Sequence, residues 1–332
     1  MTFNTSQLSR VSRSYLLALA ALAAVLLAAC STPQPPAPSV TSVSVTAPAT
    51  LVAGRTAQAL ADVVVTNGAS TDVDWSTSDA TVATVSSTGL VAALADGDVT
   101  ITATSRFDAT KSGSVDIAVS NVLRGATVLY YVDDLVGTDA ALTALNDAAA
   151  RFDAVVVQTD DANFVADLED EPDLVVYLRQ DDDGIPDDAE VALLDWVDNG
   201  GALVFTSWDY FGTDVATQLA AMEAVATGSE NYSSMEVEEP ALGAGLSTST
   251  ISVVNPDDMW GTFSMGLQAT GGGVELAHFY DGAPELTTGA ALVSGNGGKT
   301  MVIGFLSDTV DGIDGARLLR NIFEYVMLAA LP

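Results

Sequence analysis

Histidine and cysteine are almost missing: the 332 residues hold one of each, His278 and Cys30. A lone thiol cannot close a disulfide within its own chain, so no internal covalent staple supports the fold. Residues 40–121 contain neither residue, which removes nucleophilic-thiol, imidazole and transition-metal chemistry from that stretch. Basic residues are scarce too, 11 Lys and Arg against 44 Asp and Glu, for a formal net charge of −33. Such a chain repels phosphate backbones and anionic headgroups, which excludes nucleic acid as a partner. A solvated acidic surface and cation binding both fit the excess. Long apolar runs are also lacking: Leu16 to Ala29 is about 14 residues, where a spanning helix needs about 20. Yet 48% of the residues are hydrophobic, enough for one or two cores, and the length points to two domains.

What is present begins with a targeting segment. Arg10 and Arg13 precede the short apolar run, which ends in Leu27-Ala28-Ala29-Cys30, so residues 1–29 read as a signal peptide. That ending resembles the lipobox of bacterial lipoproteins. The resemblance implies cleavage before Cys30, acyl chains such as palmitate on that cysteine, and an exported chain whose membrane partner is reached through the lipid. Ser31 after the cysteine implies the outer membrane or cell surface. Residues 30–39 form a Pro-rich linker that favours extended polyproline II, a spacer of about 3.1 Å per residue.

From residue 40 to 121 short alternating runs are separated by turn residues, the pattern of an antiparallel all-β module. Val43–Val45, Ala61–Val65, Val73–Trp75, Val82–Val85, Gly89–Ala92, Val99–Ala103 and Val115–Val119 follow at even spacing. The pieces Val73-Asp-Trp75-Ser-Thr-Ser-Asp79, Val82-Ala-Thr-Val85, Gly89-Leu-Val91 and Gly97-Asp-Val-Thr-Ile101 resemble the bacterial Ig-like group 2 domain, in that family's order. The resemblance implies an all-β immunoglobulin-like sandwich that serves as a spacer or adhesion module on surface proteins. Trp75 is expected between the sheets, and Gly89 and Gly97 at turns that a side chain would hinder.

Beyond Arg124 the period changes. Ala126–Val132, Asp153–Thr159, Asp173–Leu178, Ala202–Thr206 and Gly298–Phe305 have strand length. Ala140–Phe152, Phe164–Leu168, a segment from Asp187 burying Val191, Leu194 and Val197, a segment with Val215, Leu219, Met222 and Val225 on one side, and Gly315–Met327 have helical spacing. Strands buried on both faces and alternating with helices predict a parallel sheet covered by helices over 124–332. Leu193-Leu-Asp-Trp-Val-Asp-Asn-Gly-Gly-Ala-Leu-Val204, Gly297–Phe305 and Leu318-Leu-Arg-Asn321 resemble the class I glutamine amidotransferase superfamily, which implies a three-layer, flavodoxin-like α/β fold.

Glutaminases of that superfamily use a Cys on the turn after a central strand and a late His-x-Glu. Here the corresponding stretches read Phe205-Thr206-Ser207-Trp208-Asp209 and Phe305-Leu-Ser307-Asp308. The surrogate nucleophiles are Thr206 and Ser207, the nearby carboxylates Asp209 and Asp308, and the base His278. The retained frame without its thiol and imidazole points to a non-catalytic surface protein that presents its α/β domain to an envelope protein or glycan, with no cofactor required. The rival is an extracellular hydrolase working through Ser207, His278 and Asp209.

A third reading is calcium binding, since Asp181, Asp183, Asp187 and Glu190 fall at positions three, five, nine and twelve of a calcium-loop pattern with Gly184 at six. Arg179 stands at position one and cannot ligate. The same acids suit the start of a helix after Pro186. Asp133-Asp134 and Asp160-Asp161 fall at strand ends, where α/β sheets bind ligands.

Overall fold

The computed structural model describes residues 34–133, 139–180, 185–207, 213–229, 231–254, 264–280, 289–310 and 312–330. Cys30 precedes the first of these. The N-terminal domain is all β, with β1 (Ser39–Thr46), β2 (Thr50–Val52), β3 (Thr56–Gln58), β4 (Leu60–Thr66), β5 (Val73–Thr77), β6 (Ala83–Val85), β7 (Leu90–Ala93), β8 (Gly97–Ser105) and β9 (Ser112–Ser120). These form a sheet in the order β2-β9-β8-β5, a sheet β3-β7-β6 and a β1-β4 pair.

Period-two alternation drives the packing: Val99, Ile101 and Ala103 of β8 turn inward with Ile117 and Val119 of β9,. Trp75 packs against both apolar clusters of the domain, one around Val91, Ile101 and Ile117 and one around Val40, Val43 and Ala103. Its ring rests on Gly89, whose φ is +86° and where a Cβ would stand 2.6 Å from Ala59 O and 2.9 Å from the indole. The two strands absent from the sequence reading, β2 and β3, have three residues each, too few to display a period.

The C-terminal domain contains β10 (Thr127–Val132), α1 (Ala140–Phe152), β11 (Val155–Gln158), α2 (Phe164–Leu168), β12 (Leu174–Arg179), α3 (Asp187–Asp198), β13 (Leu203–Ser207) and α4 (Thr213–Ala221). It continues with β14 (Ala224–Ser229), β15 (Ser234–Val237), β16 (Thr250–Ser252), β17 (Met265–Ala269), β18 (Val274–Tyr280), β19 (Ala290–Gly295), β20 (Thr300–Ile303) and α5 (Gly312–Ala330). One sheet runs β11-β10-β12-β13-β20-β19-β18-β15-β16, with β17 attached to β19 and β14 to β17. The first five strands of that order are parallel.

Alternate residues of these strands enter two cores. Val128, Tyr130, Val176 and Val204 meet α1 and α5 on one face; Leu129, Tyr131, Tyr177 and Phe205 meet α2, α3 and α4 on the other. The near-continuous apolar composition of β10, β12 and β13 follows from this double burial.

The sheet is mixed, however, which corrects the expectation of a wholly parallel one. From β20 outward every pairing is antiparallel; β19 and β20, for example, are joined only by residues 296–299, too short for the crossover a parallel pair needs. Two burial expectations also change. Helix α3 buries Ala189, Leu193 and Val197, while Val191 is 59% exposed and Leu194 half-buried; the small Ala189 sets the inward stripe. Val225 lies in β14 and is 43% exposed, since α4 ends at Ala221 and Glu223 turns to a left-handed φ of 61°.

The two domains touch through directional contacts. Arg55 Nη2–H donates to Leu328 O at 2.8 Å and Asn121 Nδ2–H to Phe152 O at 2.7 Å. Gly54, at φ +85°, lets the β2-β3 turn approach, with Leu328 and Phe152 each 3.0 Å from where its Cβ would be. Arg124 bridges Asp96 of one domain at 2.9 Å and Asp153 of the other at 3.4 Å.

The Trp75–Gly89 contact yields a prediction. Gly89→Ala meets both a left-handed φ and a backbone collision and is expected to cost about 1–3 kcal/mol. Gly68→Ala, at φ +77° with nothing within 4 Å, should cost less. Urea denaturation of the two variants makes the comparison, and equal losses would contradict it.

Candidate functional site at the carboxyl edge of the parallel strands

Open α/β sheets bind ligands outside the carboxyl ends of their strands, where the strand order reverses. Here the reversal falls at β10, which has β11 on one side and β12 on the other, and the residues leaving these strands at that point are Asp133 and Arg179. Both side chains are almost wholly buried, at 4% and 5% exposure, with Arg179 Nε 3.5 Å from Asp133 Oδ2. The same guanidinium donates from Nη1 to Tyr131 Oη at 2.8 Å and lies 3.3 Å from Asp161 Oδ1. Tyr131 in turn donates to Asp161 Oδ1 at 2.6 Å. The other oxygen of Asp133 accepts from the backbone N–H of Gln180 at 2.7 Å. A guanidinium has no acceptor and stays charged, so at this depth it needs carboxylates around it.

The network extends across the edge. Gln180, fully buried, accepts at Oε1 from Ser307 N and Ser307 Oγ at 2.8 and 2.9 Å. Thr206 Oγ1 donates to Phe305 O at 3.1 Å, joining the ends of β13 and β20. Beneath, Tyr131 stacks on Tyr177 with ring centres 4.4 Å apart and Phe164 meets both edge-on. Burial, reinforced by the bond to Asp161, holds the Tyr131 hydroxyl above the usual phenol range. Burial also pushes Tyr177 up to about 12, against the opposing pull of the Arg179 charge. Both tyrosines are therefore neutral throughout the physiological range.

Ser207 ends β13 opposite Arg179. The residue is 1% exposed, and its Oγ has no hydrogen-bond partner among the described residues. His278 lies on β18, reached from β13 only by crossing β20 and β19; three strand spacings of about 4.8 Å put it about 14 Å away. Its Nδ1 is 3.1 Å from Glu238 Oε1 and its Nε2 2.8 Å from Glu275 Oε2, so both ring nitrogens are engaged by carboxylates. Ser207 and His278 are thus not brought together, and the Ser–His arrangement considered from sequence does not exist in the fold. Proton transfer needs direct contact or one water, and 14 Å allows neither.

The other sequence candidates divide. Asp308 lies in the turn Ser307–Thr309 after β20, close to Gln180 through Ser307. Asp209, Asp134, Asp181 and Asp183 fall outside the described residues. Asp187 and Glu190 occupy the first turn of α3 behind Pro186, the placement in which acids meet the positive end of a helix dipole. Asp160 Oδ1 accepts from Asn163 N and Nδ2 and closes the turn before α2. Among the described residues no group of three His, Cys, Asp or Glu side chains is placed to hold a metal, and no helix is long and apolar enough to cross a membrane.

Sequence reasoning met Arg179 only as a residue that cannot ligate calcium, and passed over Gln180 and Tyr131. The one available signal was a lone Arg at the end of an otherwise apolar strand, a position that demands a buried acid nearby.

Comparison with known proteins bears on the N-terminal part. Residues 39–119 match the model of the bacterial Ig-like domain (group 2), and that stretch is the sandwich of β1 to β9. This segment is a bacterial Ig-like domain of group 2. A 3-O-alpha-D-galactosyl-alpha-L-arabinofuranosidase of Bifidobacterium longum subsp. longum is 42% identical over 78 residues, 24% of this chain and 7% of that protein. Among solved structures, invasin, a bacterial integrin-binding protein, shares 24% identity at a TM-score of 0.18, covering 25% of this chain and 19% of its own. Intimin from EHEC O157:H7 gives 16% and 0.20, over 44% of this chain and 79% of its own. Alpha-L-fucosidase isoenzyme 2 from Paenibacillus thiaminolyticus gives 11% and 0.40, over 63% and 32%.

Two predictions concern the site and the Ig-distal sheet. Arg179→Met strands the buried Asp133 carboxylate and is expected to lower unfolding free energy by about 3 kcal/mol, with part recovered in the Arg179→Met/Asp133→Asn double variant. Chemical denaturation checks both. For Glu275, burial raises the carboxyl pKa, but the Ala269 N–H and His278 outweigh it and hold the pKa below its ordinary value. Its contribution to stability is therefore complete above the unfolded pKa of about 4.3 and lost as pH falls through the lower folded value. Denaturation midpoints across that acid range should fall less steeply in Glu275→Gln than in the native chain.

Proposed function

We propose that the protein is an exported, lipid-anchored surface protein without catalytic activity, in which the Ig-like domain is a spacer and the C-terminal domain binds an envelope protein or glycan. The observation that carries this reading is the carboxyl edge. Where an amidotransferase holds a thiolate and an imidazole, this chain has the enclosed Ser207 hydroxyl and Ser307-Asp308, and its single histidine lies three strands away. A hydroxyl with no imidazole in reach lacks the base that activates such a nucleophile. The edge instead holds a hydrogen-bonded network in which Arg179 is set between the carboxylates of Asp133 and Asp161, which suits a rigid recognition surface.

The C-terminal domain is further read as an amidotransferase-like, flavodoxin-type frame that has lost its chemistry. Support comes from the strand order β11-β10-β12-β13-β20, the second, first, third, fourth and fifth of the parallel set, which is the flavodoxin order. The antiparallel extension beyond β20 is additional to that frame. The anchor rests on Leu27-Ala28-Ala29-Cys30 and on the short Pro-rich stretch between Cys30 and β1. The spacer role rests on the Ig-like fold, in which no constellation for chemistry is present among the described residues. The glycosidase relative shares a segment of the Ig-like domain's size and little of its length, so a glycan remains one of two partner classes.

Cell fractionation and mass spectrometry test the anchor. The native chain is expected in the membrane fraction with an acylated Cys30 at its N-terminus, and Cys30→Ser should move it out of that fraction. An intact leader on the native protein would overturn the anchor. Hydrolysis of ester, amide or glycoside model substrates by the purified chain, lost in Ser207→Ala, would overturn the non-catalytic reading.

A further inference from the structure

A cavity of about 730 Å³ opens at the opposite, amino edge of the parallel strands, between α2, α3 and the segment leading into β12. Its size is that of small-molecule sites, and it shares no residue with the Arg179 network. Trp196 of α3 lines it, with Val165, Leu168 and Ala192 providing apolar wall. The indole is fixed before any ligand arrives. Its Nε1–H donates to Ala202 O at 2.9 Å, and the ring fills the space where a Cβ on Gly201 would fall, 2.3 Å from Cε2. The Asn199-Gly200-Gly201 stretch that ends α3 therefore also seats an aromatic ring.

The electrostatics of the cavity have one sign. The titratable side chains lining it are Glu169, Glu171, Asp173 and Asp195; no Lys, Arg or His is among its lining residues. Helix α3 ends there with no basic residue in its last turn, so its carbonyl pole adds negative potential. Lys299 donates to Gly200 O at 3.3 Å without lining the cavity. Asp173 has a structural duty, accepting Thr127 N at 2.8 Å. The carboxylates of Glu171 and Asp195, by contrast, make no hydrogen bond or ion pair among the described residues. An anion is repelled here, and an uncharged ligand gains nothing from four like charges. A cation gains from the carboxylates, the helix pole and the face of an indole together.

We infer that this cavity binds a small organic cation, an alkylammonium whose charge lies against Trp196 and the carboxylates while its hydrocarbon part covers the apolar wall. The site is separate from the partner-binding edge proposed above and does not depend on it.

Isothermal titration of the full chain at low ionic strength with 1,5-diaminopentane and with 1,5-pentanediol, which has the same carbon chain without the charges, tests the assignment. The diamine is expected to bind saturably at one site, at least about tenfold more tightly than the diol, and to weaken as salt is added. Trp196→Leu leaves the net charge unchanged and should weaken the diamine about tenfold, whereas counterions gathered diffusely by the acidic surface would not respond. Asp195→Asn changes an exposed carboxylate and leaves the residue's carbonyl, which accepts from Asn199, in place; it should weaken the diamine severalfold with an unchanged melting temperature. Equal affinity for diol and diamine, no saturable heat from the diamine, or an affinity unmoved in a folded Trp196→Leu variant would overturn the proposal. Should Trp196→Leu fail to fold, an affinity unmoved in Asp195→Asn would do so.

Discussion

A guanidinium buried at the end of a central strand has to be neutralised where it stands, and much of the carboxyl edge is arranged around that requirement. Arg179 leaves β12 at 5% side-chain exposure and finds Asp133 from β10 and Asp161 from the turn before α2. Tyr131 lies between the charges and donates onward to Asp161. Removing water from such a group costs several kcal/mol, which only directional partners offset. The consequence is a stiff edge: β10, β12 and the β20 turn are tied together through Asp133, Gln180 and Ser307. In a chain with 44 acidic residues, one buried arginine fixes two of them in place.

That stiffness matches the way the two domains meet. The β2-β3 turn sits on the ends of α1 and α5 because Gly54 has no side chain to hold it away, and Arg55 and Asn121 each donate to a backbone carbonyl there. Arg124 ties carboxylates from both sides. These contacts set the direction in which the Ig-like domain holds the larger one. They lie toward the amino edge of the sheet, leaving the carboxyl edge clear of the Ig-like domain among the described residues.

Much of the architecture was legible in the residues, and the failures have physical causes. Helices α1 and α2 and strands β10, β12 and β13 were readable because double burial gives near-continuous apolar runs and helical stripes give a clear period. The Ig-like strands were readable through alternation, and Trp75 and Gly89 through their chemistry. Strands β14, β15, β17 and β19 escaped because antiparallel pieces of four to six residues take their identity from neighbours far along the chain. Val225 was assigned to a helix for the same reason: a local stripe continued numerically past the point where Glu223 turns the backbone.

The sequence by itself determined the classes of chemistry left to this protein and its division into an all-β and an α/β part. One histidine, one cysteine and a large acidic excess are facts of composition, and apolar periodicity is a local property of the chain. Only tertiary structure decided which of the surviving residues meet. Ser207 and His278 are separated by two strands inserted between theirs. Asp133 and Arg179, 46 positions apart, become an ion pair because β10 and β12 are neighbours in register. Contacts across a sheet depend on strand order, and strand order is settled by the burial of the whole domain, which no local stretch of residues encodes.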